Sequence, residues 1–177
     1  MNITVYGAAS ENISEEYKES SEEFGRELAK RGHTLIFGGG KNGLMGAVAR
    51  GVTAEKGKSI GIAPKFFKPD GVFFEHCSEF ILTEDMRSRK KLLEEKCDAI
   101  VVLPGGIGTF DEFFEVFTLN GLGQTHKPIA LYNIKGYYTK LMDLINHAVS
   151  EGFLAKRIAD TLLLSDKAEE IFKFLEK

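Results

Sequence analysis

The sequence predicts an α/β fold with a doubly wound, mainly parallel sheet and helices on both faces, and three observations carry that prediction. Short runs rich in Val, Ile, Leu and Phe alternate with segments of helical periodicity from one end of the chain to the other, as repeated strand–helix–strand units do. The run at 99–103, AIVVL, is apolar without alternation, as a strand buried on both faces of a parallel sheet must be. Three runs are followed at once by loops of small residues, at 7–10, 38–46 and 104–112. In an open parallel sheet ligands bind at the carboxyl ends of the strands, near the point where strand order reverses, and loops of this kind belong there.

Strands are expected over 3–6, 34–37, 59–62, 79–82, 99–103, 129–132 and 161–164. Between the first two, Tyr17, Phe24 and Leu28 stand at helical spacing, and a second helix is expected over 44–56. A charged stretch, Glu84-Asp85-Met86-Arg87-Ser88-Arg89-Lys90, opens the helix that precedes the fifth strand. Phe110, Phe113, Phe114 and Phe117 stripe the helix that follows it. Such stripes read as core or subunit interface rather than as a cofactor box. Ser165 is expected to N-cap the final helix, whose apolar face is Ala168, Ile171, Phe172 and Leu175. The segment 64–76 carries two of the four prolines and five Phe or Val residues, which suits a loop with apolar anchors rather than an interdomain linker.

A chain of 177 residues, 43% hydrophobic, is the size of one ordinary domain, and a single domain over 1–177 is expected. The net charge of −3 and the lack of a long Lys or Arg block argue against nucleic acid as partner. No apolar run reaches the length of a membrane span. Cys77 and Cys97 form no CxxC and the N-terminus carries no leader pattern, so a cytoplasmic protein with free thiols is expected. His33, His76, His126 and His147 are scattered without ligand spacing, and no metal is expected.

The loop at 38–46 contains GxGxxG at Gly38, Gly40 and Gly43. A dinucleotide site also wants an acidic residue at the end of the next strand, where this chain has Gly61-Ile62-Ala63-Pro64-Lys65. Tight packing of the following helix accounts for the glycines equally well. The loop at 104–112 is more specific. Gly105, Gly106 and Gly108 free the backbone to take angles a side chain would forbid, so that amides converge on an anion at the positive end of a helix. Thr109-Phe110-Asp111-Glu112 is also a capping box, in which Thr109 caps the helix and Glu112 folds back on the Thr109 amide. Capping alone does not require three glycines. Arg87, Arg89, Lys90 and Lys91 gather cations near a helix start against the dipole, so counter-charge is expected from a phosphate or from Asp111, Glu112 and Glu115.

These residues resemble the Lonely Guy (LOG) phosphoribohydrolases, older members of which carry a lysine decarboxylase-like label. PGGxGTxxE stands intact at 104–112, and DMHxRK appears as Asp85-Met86-Arg87-Ser88-Arg89-Lys90 with Arg87 in place of histidine. GGGxxGLMG at 38–46, Leu122-Gly123, Lys127-Pro128 and Gly136-Tyr137-Tyr138 extend the resemblance over nearly the whole chain. The departures are GAAS at 7–10 and Leu119 where the family often has tryptophan. The resemblance implies a Rossmann-like, nucleotide-binding domain that hydrolyses the N-glycosidic bond of a nucleoside 5′-monophosphate, AMP or N6-modified AMP, without a cofactor. It implies a catalytic pair at Arg89 and Glu112, and a homodimer with sites near the interface. Candidate substrate contacts are Lys90, Gly105, Gly106, Ile107, Gly108, Thr109, Asp111 and Thr118, with Met86, Gly39, Gly40 and Ser10 from the converging loops. A fixed carboxylate near the anomeric carbon stabilises the positive charge that builds on the sugar as the base departs, and a neighbouring arginine is expected to lower that carboxyl's pKa. Rival expectations are a non-catalytic carrier of a nucleotide or phosphorylated cofactor, and a pyridoxal phosphate decarboxylase.

Overall fold

Seven strands and seven helices follow one another as β1 (Asn2–Tyr6), α1 (Glu15–Lys30), β2 (Thr34–Phe37), α2 (Gly43–Ala54), β3 (Lys58–Pro64), β4 (Glu79–Thr83), α3 (Met86–Glu95), β5 (Ala99–Val102), α4 (Ile107–Gly121), β6 (Ile129–Tyr132), α5 (Thr139–Ser150), α6 (Lys156–Ala159), β7 (Leu162–Ser165) and α7 (Ala168–Leu175). The computed structural model describes residues 1–177, the side chain of Pro69 excepted. Short 3-10 turns lie at Lys65–Asp70 and Ile134–Gly136. Every expected strand is present. The segment after 64 is less irregular than its composition suggests, because β3 runs on through Pro64 before the 3-10 turn begins.

All seven strands join one sheet in the order β4-β3-β2-β1-β5-β6-β7, and every pairing is parallel. The chain starts in the middle, winds out to β4, returns to lay β5 beside β1, and winds to the other edge. The direction of winding reverses between β1 and β5, where Val5 pairs with Val101. The doubly wound, Rossmann-like α/β fold read from the sequence is therefore the observed one. Side chains alternate across the strands and feed a core on each face. Ile3 and Val5 join Phe24 and Leu28 of α1, Val48 and Val52 of α2, and Ile171 and Phe172 of α7. Tyr6, Ile100 and Val102 join Leu93 of α3, Phe113 and Phe117 of α4, and Ile145 of α5.

On the first face α1 and α2 touch backbone to backbone. A Cβ on Gly25 would stand 2.2 Å from the Val48 carbonyl oxygen, and one on Gly51 would stand 1.9 Å from that of Glu22. One expectation fails at the C-terminus. Ser165 ends β7, and Lys167 occupies the N-cap position of α7. The serine still serves that helix, since its Oγ accepts from the Lys167 amide at 3.1 Å and donates to Glu170 at 2.7 Å. Among the described residues no helix is long and apolar enough to cross a membrane.

Candidate active site

The loops after β1, β2, β3 and β5 border a cleft of about 610 Å³ along the carboxyl edge of the sheet, within the size range of small-molecule sites. Its two glycine-rich helix starts are used differently. At the start of α2, Gly43 has φ +59 and its amide donates to Glu11 Oε1 at 3.0 Å; the Leu44 amide donates to the Ala8 carbonyl at 2.8 Å. Protein acceptors occupy that end. The positions of GxGxxG are also spatially constrained: a Cβ on Gly38 would lie 2.2 Å from Arg89 Nη2, and one on Gly43 2.4 Å from the Ala8 oxygen. Packing, rather than a dinucleotide, accounts for them.

The start of α4 is open. The helix begins at Ile107, two residues before the expected Thr109, with Gly106 as an N-cap that offers no side-chain acceptor. The amides of its first turn therefore lack the partner that capping supplies elsewhere. Carbonyls of the preceding bend are fixed from behind: Leu103 O accepts from Tyr138 Oη at 2.7 Å, Pro104 O from the Ala8 amide at 3.1 Å, and Gly105 O from Tyr137 Oη at 2.7 Å. In a trans peptide the N–H points opposite to the C=O, so anchoring the Gly105 carbonyl on Tyr137 turns the Gly106 amide the other way. None of Gly105, Gly106 and Gly108 has positive φ, which corrects the expectation of forbidden backbone angles. Gly105 is required for room, since a Cβ there would lie 2.1 Å from Thr109 Oγ1. A Cβ on Gly106 or Gly108 would meet nothing within 4 Å. Both line the cleft, with Thr109.

Glu112 and Arg89 meet beside this cradle. Arg89 Nη1 donates to Glu112 Oε1 at 2.6 Å and Arg89 Nε donates to the Ile62 carbonyl at 3.3 Å; the residues are 7% and 8% exposed. The missing side chain of Gly38 leaves space for the guanidinium. The capping-box alternative fails here, because the Glu112 carboxylate turns to Arg89 instead of to its own helix end. Among the described residues only one Glu112 oxygen is so engaged. Burial pushes the Glu112 carboxyl above the usual glutamate range, and Arg89 pulls against that shift without reversing it. The expected lowering by arginine is thus the smaller effect. The counter-charge expected for the cations of α3 comes from carboxylates: Lys90 pairs with Asp111 at 3.1 Å and Glu115 at 2.5 Å, and its pKa is raised, by the Glu115 hydrogen bond foremost. Asp85 caps α3 through the Ser88 amide at 2.8 Å.

Of the candidate residues, Ser10, Gly40, Met86, Arg89, Gly106, Gly108, Thr109, Asp111 and Glu112 line the cleft. Asp111 is exposed and Glu112 buried, so both carboxylates reach the site in different settings. Gly105 lies beneath the cradle. Gly39, at φ +72, is backed by Phe80. Ile107 is 84% exposed, Thr118 bonds back to the Phe114 carbonyl, and Lys90 lines a separate cavity behind Glu112 together with Arg87 and Leu119. Sequence reasoning missed the far wall. The Lys41 amide donates to the Val72 carbonyl and the Phe74 amide to the Gly39 carbonyl, both at 2.8 Å, stitching Val72 and Phe73 to the glycine loop. Phe67, Val72 and Phe73 thereby line the cleft, with Phe73 against Phe80 at 4.7 Å between ring centres. The five Phe and Val residues of that segment were the available signal.

A family described as possible lysine decarboxylase matches residues 45–175. The chain is 36% identical over 175 residues to the cytokinin riboside 5′-monophosphate phosphoribohydrolase LOG3 of Arabidopsis thaliana, covering 99% of this chain and 81% of that protein. It is 36% identical over 175 residues to LOG of Oryza sativa subsp. japonica, which bears the same name, covering 99% of this chain and 72% of that protein. Among solved structures it is similar to the molybdenum cofactor carrier protein of Chlamydomonas reinhardtii, with a TM-score of 0.76, 19% identity, and 99% and 98% of the two chains covered. That likeness shows the fold alone.

Proposed function

The chain belongs to the LOG family, whose older description is possible lysine decarboxylase, and on that premise we propose that it hydrolyses the N-glycosidic bond of a nucleoside 5′-monophosphate, AMP or an N6-modified AMP, to the free base and ribose 5-phosphate. The observation that carries this reading is the placing of a buried carboxylate, one oxygen held by Arg89 and the other uncommitted among the described residues, on the same cleft wall as the open amide end of α4.

The amides of Gly106, Gly108 and Thr109 receive the 5′-phosphate, where the helix dipole favours an anion. The base extends toward β3. From β5 to β3 is three strand steps of about 4.8 Å, or about 14 Å, a span suited to phosphate, sugar and base in a row. Phe67, Val72 and Phe73 offer the apolar wall against which a base stacks. Glu112, between the two ends, faces the sugar. Its charge stabilises the cationic ribosyl transition state and its free oxygen takes a proton from water. Arg89 fixes the carboxylate in place and balances its charge.

Pyridoxal phosphate chemistry does not fit these residues. That cofactor needs a lysine for its Schiff base, and among the described residues no lysine lines the cleft. The free thiols at Cys77 and Cys97 suit a cytoplasmic setting. A homodimer accords with apolar side chains left exposed on and after α4, Phe114 at 42% and Leu122 at 67%.

The test is release of base and ribose 5-phosphate by purified protein across AMP, GMP, CMP, IMP and N6-isopentenyl-AMP. Hydrolysis of an adenine nucleotide supports the reading, and Glu112→Gln is expected to lower kcat by about 10²–10³-fold. Retention of intact AMP with no ribose 5-phosphate would overturn it in favour of a carrier.

A further inference from the structure

Asn42 stands at the N-cap of α2 without capping it. An N-cap asparagine ordinarily accepts a hydrogen bond from an amide of the first turn, but here those amides are taken. Gly43 donates to Glu11 Oε1 at 3.0 Å, and Leu44 and Met45 donate to the Ala8 carbonyl at 2.8 and 3.3 Å. The asparagine is left half-buried on the wall of the front cleft, its carboxamide without a hydrogen-bond partner among the described residues. We propose that Asn42 selects adenine, with Oδ1 accepting from N6–H of the base and Nδ2 donating to N7. This deepens the hydrolase reading above and rests on the direction in which that reading lays the nucleotide.

Strand order sets the carboxamide beside the base. The anion cradle follows β5 and Asn42 follows β2, two strand steps away; at about 4.8 Å per step this is about 10 Å, past the sugar of a nucleotide whose phosphate sits on α4. One residue earlier, the Lys41 amide donates to the Val72 carbonyl at 2.8 Å, and Gly40 bridges to Phe73. Asn42 is thereby tied to the apolar wall. That wall can hold the flat faces of any base, whereas telling one base from another takes polar groups at the edge.

The other polar side chains of the cleft suit that task less well. Ser10 Oγ accepts from the Asn12 amide at 3.2 Å, Asp111 pairs with Lys90 and Glu112 with Arg89, and Thr109 belongs to the cradle. Asp70 also lines the cleft, but a carboxylate only accepts and would face N7 lone pair to lone pair. Among the described residues lining the cleft, Asn42 alone sets a donor atom beside an acceptor atom, the pattern that matches N6–H and N7 of adenine. Hypoxanthine and guanine carry O6 in place of N6–H and so present two acceptors, leaving one end of the carboxamide unpaired in either rotamer. A site built to hydrogen-bond a group rejects the analogue that lacks it for this reason. An adenine with one N6 substituent keeps an N–H and is admitted; one with two is not.

The test reads affinity rather than turnover, by calorimetry on the full-length protein carrying Glu112→Gln so that nucleotides stay intact. Four probes are compared: AMP, purine riboside 5′-monophosphate, which lacks N6–H, 7-deaza-AMP, which lacks N7, and IMP, which carries O6. AMP is expected to bind about tenfold more tightly than each of the others. Adding Asn42→Ala is expected to weaken AMP about tenfold and bring all four within about twofold, with the melting temperature unchanged because no cap is lost. Asn42→Asp keeps the acceptor and removes the donor, so the preference over 7-deaza-AMP is expected to vanish while that over purine riboside 5′-monophosphate remains; this variant decides if Asn42→Ala does not fold. A preference for AMP that survives Asn42→Ala would overturn the proposal, as would equal binding of AMP and 7-deaza-AMP before that substitution. A lower melting temperature with the preference intact would make Asn42 a cap only, and overturns it too. Turnover is judged separately: a chain with Glu112 intact that releases no ribose 5-phosphate overturns the hydrolase reading, while the four affinities still decide whether Asn42 reads the base.

Discussion

In the proposed hydrolysis the Glu112 carboxylate works in its ionised form, while burial favours its protonated one. Because the carboxyl is raised in spite of Arg89, the active fraction falls as pH drops through a value above the ordinary ~4.3 of glutamate. A kcat/KM profile should therefore show an acid limb displaced to higher pH than a free glutamate would give, and Glu112→Gln should abolish the limb along with most of the rate. An unshifted limb would contradict the burial argument. Arg89 carries structural weight as well, since it also donates to the Ile62 carbonyl beneath the cleft. Arg89→Ala leaves a buried carboxylate without its cation, and a loss of about 3 kcal/mol is expected in urea unfolding at neutral pH. At pH low enough to protonate Glu112, that loss should shrink. Equal losses at both pH values would show that the pair contributes through packing alone.

The start of α4 separates two jobs that its glycines share in sequence. Gly105→Ala drives a Cβ into Thr109 Oγ1 and should lower stability by about 1–3 kcal/mol, read as a fall in melting temperature. Gly108→Ala meets open space in the first turn of a helix, where alanine is the better residue. Its melting temperature should hold or rise, while KM for AMP increases about tenfold as the methyl intrudes on the phosphate. A melting loss at Gly108→Ala without a change in KM would mean that the bend is built for packing only. The element scale also shows what could be read in advance. All seven strands were legible because each is a short run rich in apolar residues in a parallel sheet, fully buried at β5 and β6 and only partly so at the edge strands β4 and β7, and the pairing of Arg89 with Glu112 was legible through their motifs. The cap of α4 was misplaced at Thr109 because a glycine N-cap leaves no side-chain signature, whereas a threonine followed by glutamate three residues on imitates one. Val72 and Phe73 stayed hidden for another reason: they reach the cleft through bonds to Gly39 and Lys41, and pairing between residues more than thirty positions apart has no local trace.

At the scale of the whole molecule, the reversal of winding between β1 and β5 brings the anion cradle, the carboxylate and the aromatic wall to one edge of the sheet. The opposite edges of the chain are tied elsewhere, as where Arg31 and His33 reach Glu176 at 3.4 and 2.9 Å. Apolar side chains exposed on and after α4 predict self-association, and light scattering behind size exclusion should give twice the 19.6 kDa of one chain. Phe114→Glu should then shift the mass toward the monomer, and a wild-type monomer would refute the assembly. The carboxylate of Glu11 seated on the Gly43 amide bears on which metabolites can compete for the cleft. A coenzyme laid over that glycine turn would find the Gly43 amide already taken and its bridging diphosphate beside a carboxylate that Lys18 only partly neutralises, at 3.7 Å. That turn therefore has no free Gly43 amide to offer a diphosphate, whereas the glycine-capped start of α4 keeps its first-turn amides open, as the proposed monoester substrate requires.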